Sequence, residues 1–202
     1  MLKVGIIGLG KMGQLHFMNS LRMGNVEVIA VADRSRNALS KAGTNGVEKR
    51  FSDYRELLAQ LHGELDAVVI SLPNFLHFES SKSALENGIN VFLEKPMATR
   101  VDECRQLVNL TKKHGKVLMP GHSMRFIDAI SQMKTLKDEG RIGDLEVVTL
   151  EELLNGPFTH GANPSPVPEW WFDPTKTGGG VLLDLGYHLI DLFRFFTTFS
   201  AA

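Results

Sequence analysis

A short apolar run, Lys3-Val4-Gly5-Ile6-Ile7, stops at Gly8-Leu9-Gly10-Lys11-Met12-Gly13, and a helical pattern follows at once. That order confines this part of the chain to a buried parallel strand, a tight glycine turn and a helix. Gly8 permits the turn, Gly10 lets the backbone come close to a pyrophosphate, and Gly13 removes a side chain where helix and strand pack closest. The helix points unpaired backbone N–H groups and its positive dipole end at phosphate. Spacing alone also describes a plain glycine-rich strand-to-helix turn. Its place between a strand and a helix favours a dinucleotide-binding turn.

An acidic partner stands where such a turn needs it. Val26 to Asp33 reads as a second strand, and it ends in a carboxylate about twenty residues beyond Gly13. Asp33 suits the two ribose hydroxyls of NAD and repels the extra phosphate of NADP. Arg34 argues the other way, because a guanidinium can bind that phosphate bidentately or stack on adenine. The expected cofactor is NAD, with NADP left open. The plainer alternative has Asp33 capping the next helix and Arg34 in solvent.

The totals exclude several classes. Net charge is −1 over 202 residues with no basic run, so neither nucleic acid nor an anionic membrane surface is expected as a partner. Cys104 is the single cysteine, which forbids an internal disulfide and suits a reducing compartment. It reads as a small packing residue. The N-terminus has neither the basic region nor the cleavage site of a signal peptide, and its apolar residues belong to the first strand. Asp184, His188, Asp191 and Arg194 interrupt the apolar stretch near the C-terminus, leaving nothing long enough to span a bilayer. The expectation is a cytoplasmic protein. No HExxH sequence or Cys/His cluster suggests a metal.

Strand and helix patterns alternate from Met1 to about Gly121. Asp53 starts a helix, Asp66–Leu72 is a strand stopped by Pro73, and a helix runs from Phe75 to Glu86. Asn90–Leu93 is a short strand, Asp102–His114 a helix, and Lys116–Met119 the sixth strand. This pattern predicts an α/β fold, a Rossmann-type doubly wound parallel sheet over residues 1–121. Residues 122–202 read as a partial α+β domain for substrate binding or oligomerisation. There Ile127–Glu139 is a helix, Asp144–Leu154 a long strand, Asn155–Thr177 irregular, and Gly178–Phe196 an apolar helix.

Open α/β sheets bind ligands beyond the carboxyl ends of their strands. Three segments fall there: Leu72-Pro73-Asn74-x-x-His77, Glu94-Lys95-Pro96 and Gly121-His122-Ser123-Met124-Arg125. A lysine between a glutamate and a proline is poorly explained by packing. Lys95 could hold a substrate hydroxyl and stabilise developing alkoxide charge, or it could be an ordinary surface lysine. Asp184 and His188 are four apart on one helix face, with His188 suited to be a base and Asp184 to orient it; the pair serves equally as a structural hydrogen bond. His16, His77 and His122 read as helix or loop histidines, and only His77 and His122 are candidates for the neighbourhood of a nicotinamide.

Together Gly8-x-Gly10-x-x-Gly13, Pro73-Asn74-x-x-His77, Glu94-Lys95-Pro96 and Asp184-x-x-x-His188 resemble the signature set of the glucose–fructose oxidoreductase/inositol dehydrogenase/MocA-type dehydrogenases. The likeness runs from residue 2 to about Phe196. It implies that Lys95, Asp184 and His188 form a catalytic trio, with hydride passing between a sugar or cyclitol carbon and the nicotinamide. Gly8, Gly10, Lys11, Met12, Gly13, Asp33, Arg34, Leu72, Pro73, Asn74, His77, Glu94 and Lys95 would then surround NAD or NADP. The trio would meet the polyol or sugar substrate together with His122, Arg125, Trp170 and Trp171. Family members continue past the Asp-x-x-x-His helix to complete a large open sheet. Leu182, Leu183, Leu185, Leu189, Ile190, Leu192, Phe193 and Phe196 are too many apolar residues to leave in water. A partner chain, loose order or a longer reading frame would account for them, and the expected assembly is a homo-oligomer through the C-terminal region. Two other readings stay open: a nucleotide-binding module or enzyme remnant without catalysis, and an assembly protein.

Overall fold

The computed structural model describes residues 1–153 and 167–197. Two compact units divide the chain, Met1–Gly121 and His122–Ala202.

The first unit is built on six parallel strands: β1 (Leu2–Ile7), β2 (Val26–Ala32), β3 (Lys49–Phe51), β4 (Ala67–Ile70), β5 (Asn90–Leu93) and β6 (Leu118–Pro120). Their order is β3-β2-β1-β4-β5-β6, so the chain reverses direction across the sheet between β1 and β4. That reversal opens a crevice at the carboxyl ends of the two strands, the place where doubly wound sheets take ligands. The doubly wound parallel sheet expected of residues 1–121 is what forms.

Five helices cover the sheet: α1 (Lys11–Arg22), α2 (Arg36–Thr44), α3 (Tyr54–Leu61), α4 (His77–Glu86) and α5 (Val101–His114). Right-handed crossovers put α1 and α2 on one face and the other three on the opposite face. Two apolar clusters record this. Ile6, Leu9, Phe17, Val31 and Ala42 fill the first layer, and Leu57, Leu58, Ile70, Leu85, Ile89, Leu93 and Leu107 the second, all nearly or fully buried. Each of the larger side chains contributes about 1.5–3 kcal/mol by leaving water.

Local signals set the boundaries. The Asp53 carboxylate accepts the Arg55 N–H and starts α3, and the Ser35 hydroxyl accepts the Ala38 N–H and starts α2. Gly115 ends α5 in the left-handed conformation at φ 61°. The helix expected from Phe75 begins instead as a 3-10 turn over Asn74–Leu76 before α4 takes over. β3 carries no hydrophobic run at all. It is a three-residue edge strand whose exposed Lys49 and Arg50 discourage pairing with another chain.

The second unit departs further from expectation. A 3-10 turn at Ser123–Phe126 precedes α6 (Asp128–Asp138). The long strand expected over Asp144–Leu154 does not form in its described part, residues 144–153. A β-strand is stable only when paired, and no strand of the second unit is among the described residues to pair with it. The stretch expected to be irregular lies outside the described residues up to 166. Beyond that it holds a 3-10 turn, Glu169–Phe172, and α7 (Pro174–Thr177). The helix expected from Gly178 starts only at Val181, because three consecutive glycines resist helix formation. It runs as a π turn over Leu182–Gly186 and then as α8 (Tyr187–Thr197). No helix among the described residues is long and apolar enough to cross a membrane.

Candidate functional site

The glycine turn shows why each glycine is there. Gly8 has φ 88°, and a Cβ on it would stand 2.5 Å from the Ser71 carbonyl oxygen. A Cβ on Gly13 would come within 1.9 Å of the Gly8 carbonyl oxygen, so α1 rests directly on the loop. Gly10 is different: a Cβ there would meet nothing within 4 Å. The chain spends a glycine at the helix entrance where packing does not require one, and the space left beside the first N–H groups of α1 fits a pyrophosphate. Lys11 and Met12 are exposed beside it.

Asp33 follows β2 and closes the other side. One of its oxygens accepts the Leu9 N–H at 2.6 Å and the other the Ser35 N–H at 2.7 Å. The carboxylate therefore braces the glycine loop and still has lone pairs for two hydroxyl donors. Helix capping falls to Ser35, so Asp33 is not the cap of α2, and Arg34 is exposed.

Leu72, Pro73 and Asn74 are half-buried beyond β4, and Glu94 and Lys95 follow β5 next to it. His77 does not present its ring to solvent. It is 1% exposed, with Nδ1 2.6 Å from the Pro96 carbonyl oxygen and Nε2 2.7 Å from that of Leu72. Its ring thus ties the turn after β4 to the turn after β5, acting through backbone rather than by contact with a ligand. Only an imidazolium donates to both carbonyls, but burial works against the charge and pushes the His77 pKa below its ordinary value.

Glu94 is buried, and its Oε1 lies 2.6 Å from Nε2 of His16 on α1. Burial alone would raise its pKa. The His16 hydrogen bond and charge, with the Lys95 N–H and ammonium, outweigh it and hold the carboxyl below the usual range. His16, read from sequence as an ordinary helix histidine, is the residue that reasoning missed. Its place on the sheet-facing side was legible, since it stands three residues from Gly13 and next to Phe17 on that face of α1, but its partner was not.

In the second unit the polar residues of the 3-10 turn meet those of α8. Arg125 grips buried Asp191 with two hydrogen bonds, one of them 2.7 Å from Nε. His122 Nδ1 lies 3.7 Å from the same carboxylate, yet burial keeps its pKa low. The Arg125 guanidinium, expected to face substrate, is committed to Asp191, a residue sequence reasoning had not chosen. Tyr187 is a second omission: its hydroxyl lies 2.8 Å from Nε2 of His188. Asp184 sits in the middle of the π turn, and His188 falls in the first turn of α8. π turns are rare and frequent at functional sites. Trp170 and Trp171 stack at 6.1 Å with rings 10° from parallel.

Comparison with known proteins agrees with this fold. The model of an oxidoreductase family with an NAD-binding Rossmann fold matches residues 2–122, and that of the GFO/IDH/MocA C-terminal domain matches residues 130–200. The chain belongs to the GFO/IDH/MocA oxidoreductases. It is 32% identical over 197 residues to an inositol 2-dehydrogenase of Rhizobium meliloti, covering 96% of this chain and 54% of that protein. It is 29% identical over 193 residues to a 1,5-anhydro-D-fructose reductase of Ensifer adhaerens, covering 95% and 55%. Among solved structures, scyllo-inositol dehydrogenase from Lactobacillus casei with bound NAD(H) and scyllo-inositol superposes with a TM-score of 0.78 at 27% identity, covering 98% and 56%. The chain spans about half the length of the relatives it matches. The resemblance read from four short motifs is thus a family membership, with a cofactor-binding fold of the NAD type.

Proposed function

We propose that the chain is part of an NAD-dependent oxidoreductase that transfers hydride between the nicotinamide and a hydroxyl-bearing carbon of a sugar, cyclitol or sugar derivative. The single observation that carries this reading is the open space at Gly10, framed by the N-terminus of α1 and by Asp33. Asp33 favours NAD, because a second phosphate on the ribose would face a carboxylate already holding the loop. NAD, when bound, supplies the hydride acceptor.

The chain's own residues then handle the hydroxyl. The Lys95 ammonium donates to the substrate oxygen and stabilises negative charge as hydride leaves the carbon. His188 takes the hydroxyl proton. The Tyr187 hydroxyl, 2.8 Å from Nε2, fixes the orientation of the His188 ring. Asp184 orients substrate and imidazole, and the stacked Trp170–Trp171 pair offers an apolar wall of the kind sugar rings pack against. Arg125 serves the substrate side by holding α8 through Asp191, and His122 stands beside the same carboxylate. The relatives support the substrate class, being named for inositols and an anhydro sugar.

Absorbance of NADH across a panel of cyclitols and aldoses tests the reading. Turnover of at least one compound, cut at least about a thousandfold by Lys95→Met or His188→Ala, is the expected outcome. Turnover indifferent to both substitutions contradicts the assignment. Exposed apolar residues of the second unit, among them Val181, Leu182 and Ile190, favour self-association through that unit. Sedimentation that shows a monomer at all concentrations argues against it.

A further inference from the structure

His16 lies in the second turn of the helix that begins at the glycine loop, and its contacts lead to Lys95. Its Nε2 is 2.6 Å from Oε1 of Glu94, the residue just after β5, which is 8% exposed. The other Glu94 oxygen accepts the backbone N–H of Lys95 at 3.1 Å. The Glu94 N–H donates to the Ile70 carbonyl at 2.8 Å, extending the β4–β5 ladder by one residue. Phe92, two residues earlier and so on the same face of β5, meets the His16 ring edge-on at 5.2 Å. An ionised carboxylate only accepts, so His16 Nε2 carries the hydrogen. An unbroken chain of contacts thus runs from α1 to the backbone of Lys95, and it reaches across β4, which lies between β1 and β5 in the sheet.

We infer that His16 and Glu94 are a positioning pair for Lys95: they fix the backbone from which its ammonium projects and couple it to the helix that receives the nucleotide phosphates. This inference rests on the proposed oxidoreductase reading. Its physical ground is that one carboxylate is shared by two donors, a ring on α1 and an amide of the Lys95 turn. Removing the ring leaves a nearly buried anion short of a partner, and the turn relaxes to rehydrate it. The charged and titratable groups facing Glu94 are His16 from α1, Lys95 from its own turn and His77 from α4. His16 makes a side-chain hydrogen bond to it.

The test uses the full chain, NADH as probe, and the amide signals of the protein. In wild type the Lys95 amide proton is expected downfield and to follow the acid titration of Glu94. His16→Leu is expected to move that signal upfield, weaken NADH binding about tenfold and change the emission of bound NADH. His16→Gln, whose amide nitrogen stands where Nε2 stood, should restore both signal and affinity to within about threefold. A folded His16→Leu protein with an unmoved Lys95 amide and unchanged affinity overturns the inference. If that variant does not fold, the wild-type titration decides, and a Lys95 amide indifferent to Glu94 overturns it. Should wild type fail to bind NADH, the oxidoreductase reading falls. The amide response then still judges the pair alone.

Discussion

Side by side, the two units divide their apolar residues in opposite ways. In Met1–Gly121 the large aliphatic residues of both layers are nearly all inside, with Ile6, Ile7, Leu57, Leu85, Leu93 and Leu107 at 0% exposure. In His122–Ala202 the buried apolar side chains among the described residues are Leu192 and Phe196, while Val181 and Leu182 stand at 71% and 73% exposure. The first unit is held by mutual burial of sheet and helices. The second relies on point contacts: the Arg125–Asp191 pair, the cap that Asp173 places on α7, and the Tyr187–His188 hydrogen bond. The comparison teaches that the cofactor half carries its own stability, whereas the half proposed to meet substrate has its residues placed by a few polar contacts.

The largest effect should come from Gly13→Ala, whose Cβ collides with backbone rather than with a yielding side chain. A loss of about 4 kcal/mol, read by urea unfolding followed through the first unit's amides, is expected. Leu85→Ala should cost about 3 kcal/mol by the same measurement, because it opens a cavity in the layer under α4 and α5. A much smaller loss would mean that the first unit is not held by its core.

Asp191→Asn probes the opposite regime. It leaves the Arg125 guanidinium without its carboxylate, and the pair is only partly shielded from solvent, so about 1–2 kcal/mol is expected. Hydrogen exchange should quicken along α8 and remain unchanged in β1–β6. At the bottom of the scale, Leu182→Ala should change stability by no more than about 0.5 kcal/mol, in contrast to Leu85→Ala.

Acid acts on both units through histidines whose pKa burial lowers, His77 and His122, and His77 is the more deeply buried of the two. His77 is held neutral by burial, so the unfolded chain binds a proton that the folded chain refuses. Stability therefore falls as pH drops below about 6.5 and is recovered above it. Glu94 adds a second loss at lower pH, since its depressed carboxyl stabilises the fold only above the range in which the unfolded group titrates. Urea unfolding on both sides of pH 6.5 checks the first step, and His77→Gln should reduce it, leaving the part that His122 contributes.

Much of the first unit was legible because its signals are local. The glycine turn, Asp33, the strand stopped by Pro73 and the Asp53 cap each depend on a few neighbouring residues. β3 escaped notice because its edge position favours charge over hydrophobicity. His16 escaped because its partner lies seventy-eight residues away, and nothing in α1 alone shows what its inner face touches. The second unit misled in a different way. The β-branched pattern of residues 144–153 is real, but a strand needs another strand, and propensity cannot supply one. Arg125 was chosen for its chemistry, while its buried partner Asp191 looked like one more break in an apolar helix.

The central claim is that the glycine turn holds a nicotinamide dinucleotide, and Gly10 allows it to be tested without disturbing the fold. A Cβ there meets no atom within 4 Å, so Gly10→Val should still fold, losing no more than about 1 kcal/mol in urea because valine caps α1 less well than glycine. Calorimetric titration with NADH should then show saturable binding to wild type and a loss of at least about a hundredfold in the variant. Equal binding by the two proteins, or none by a folded wild type, would contradict the account.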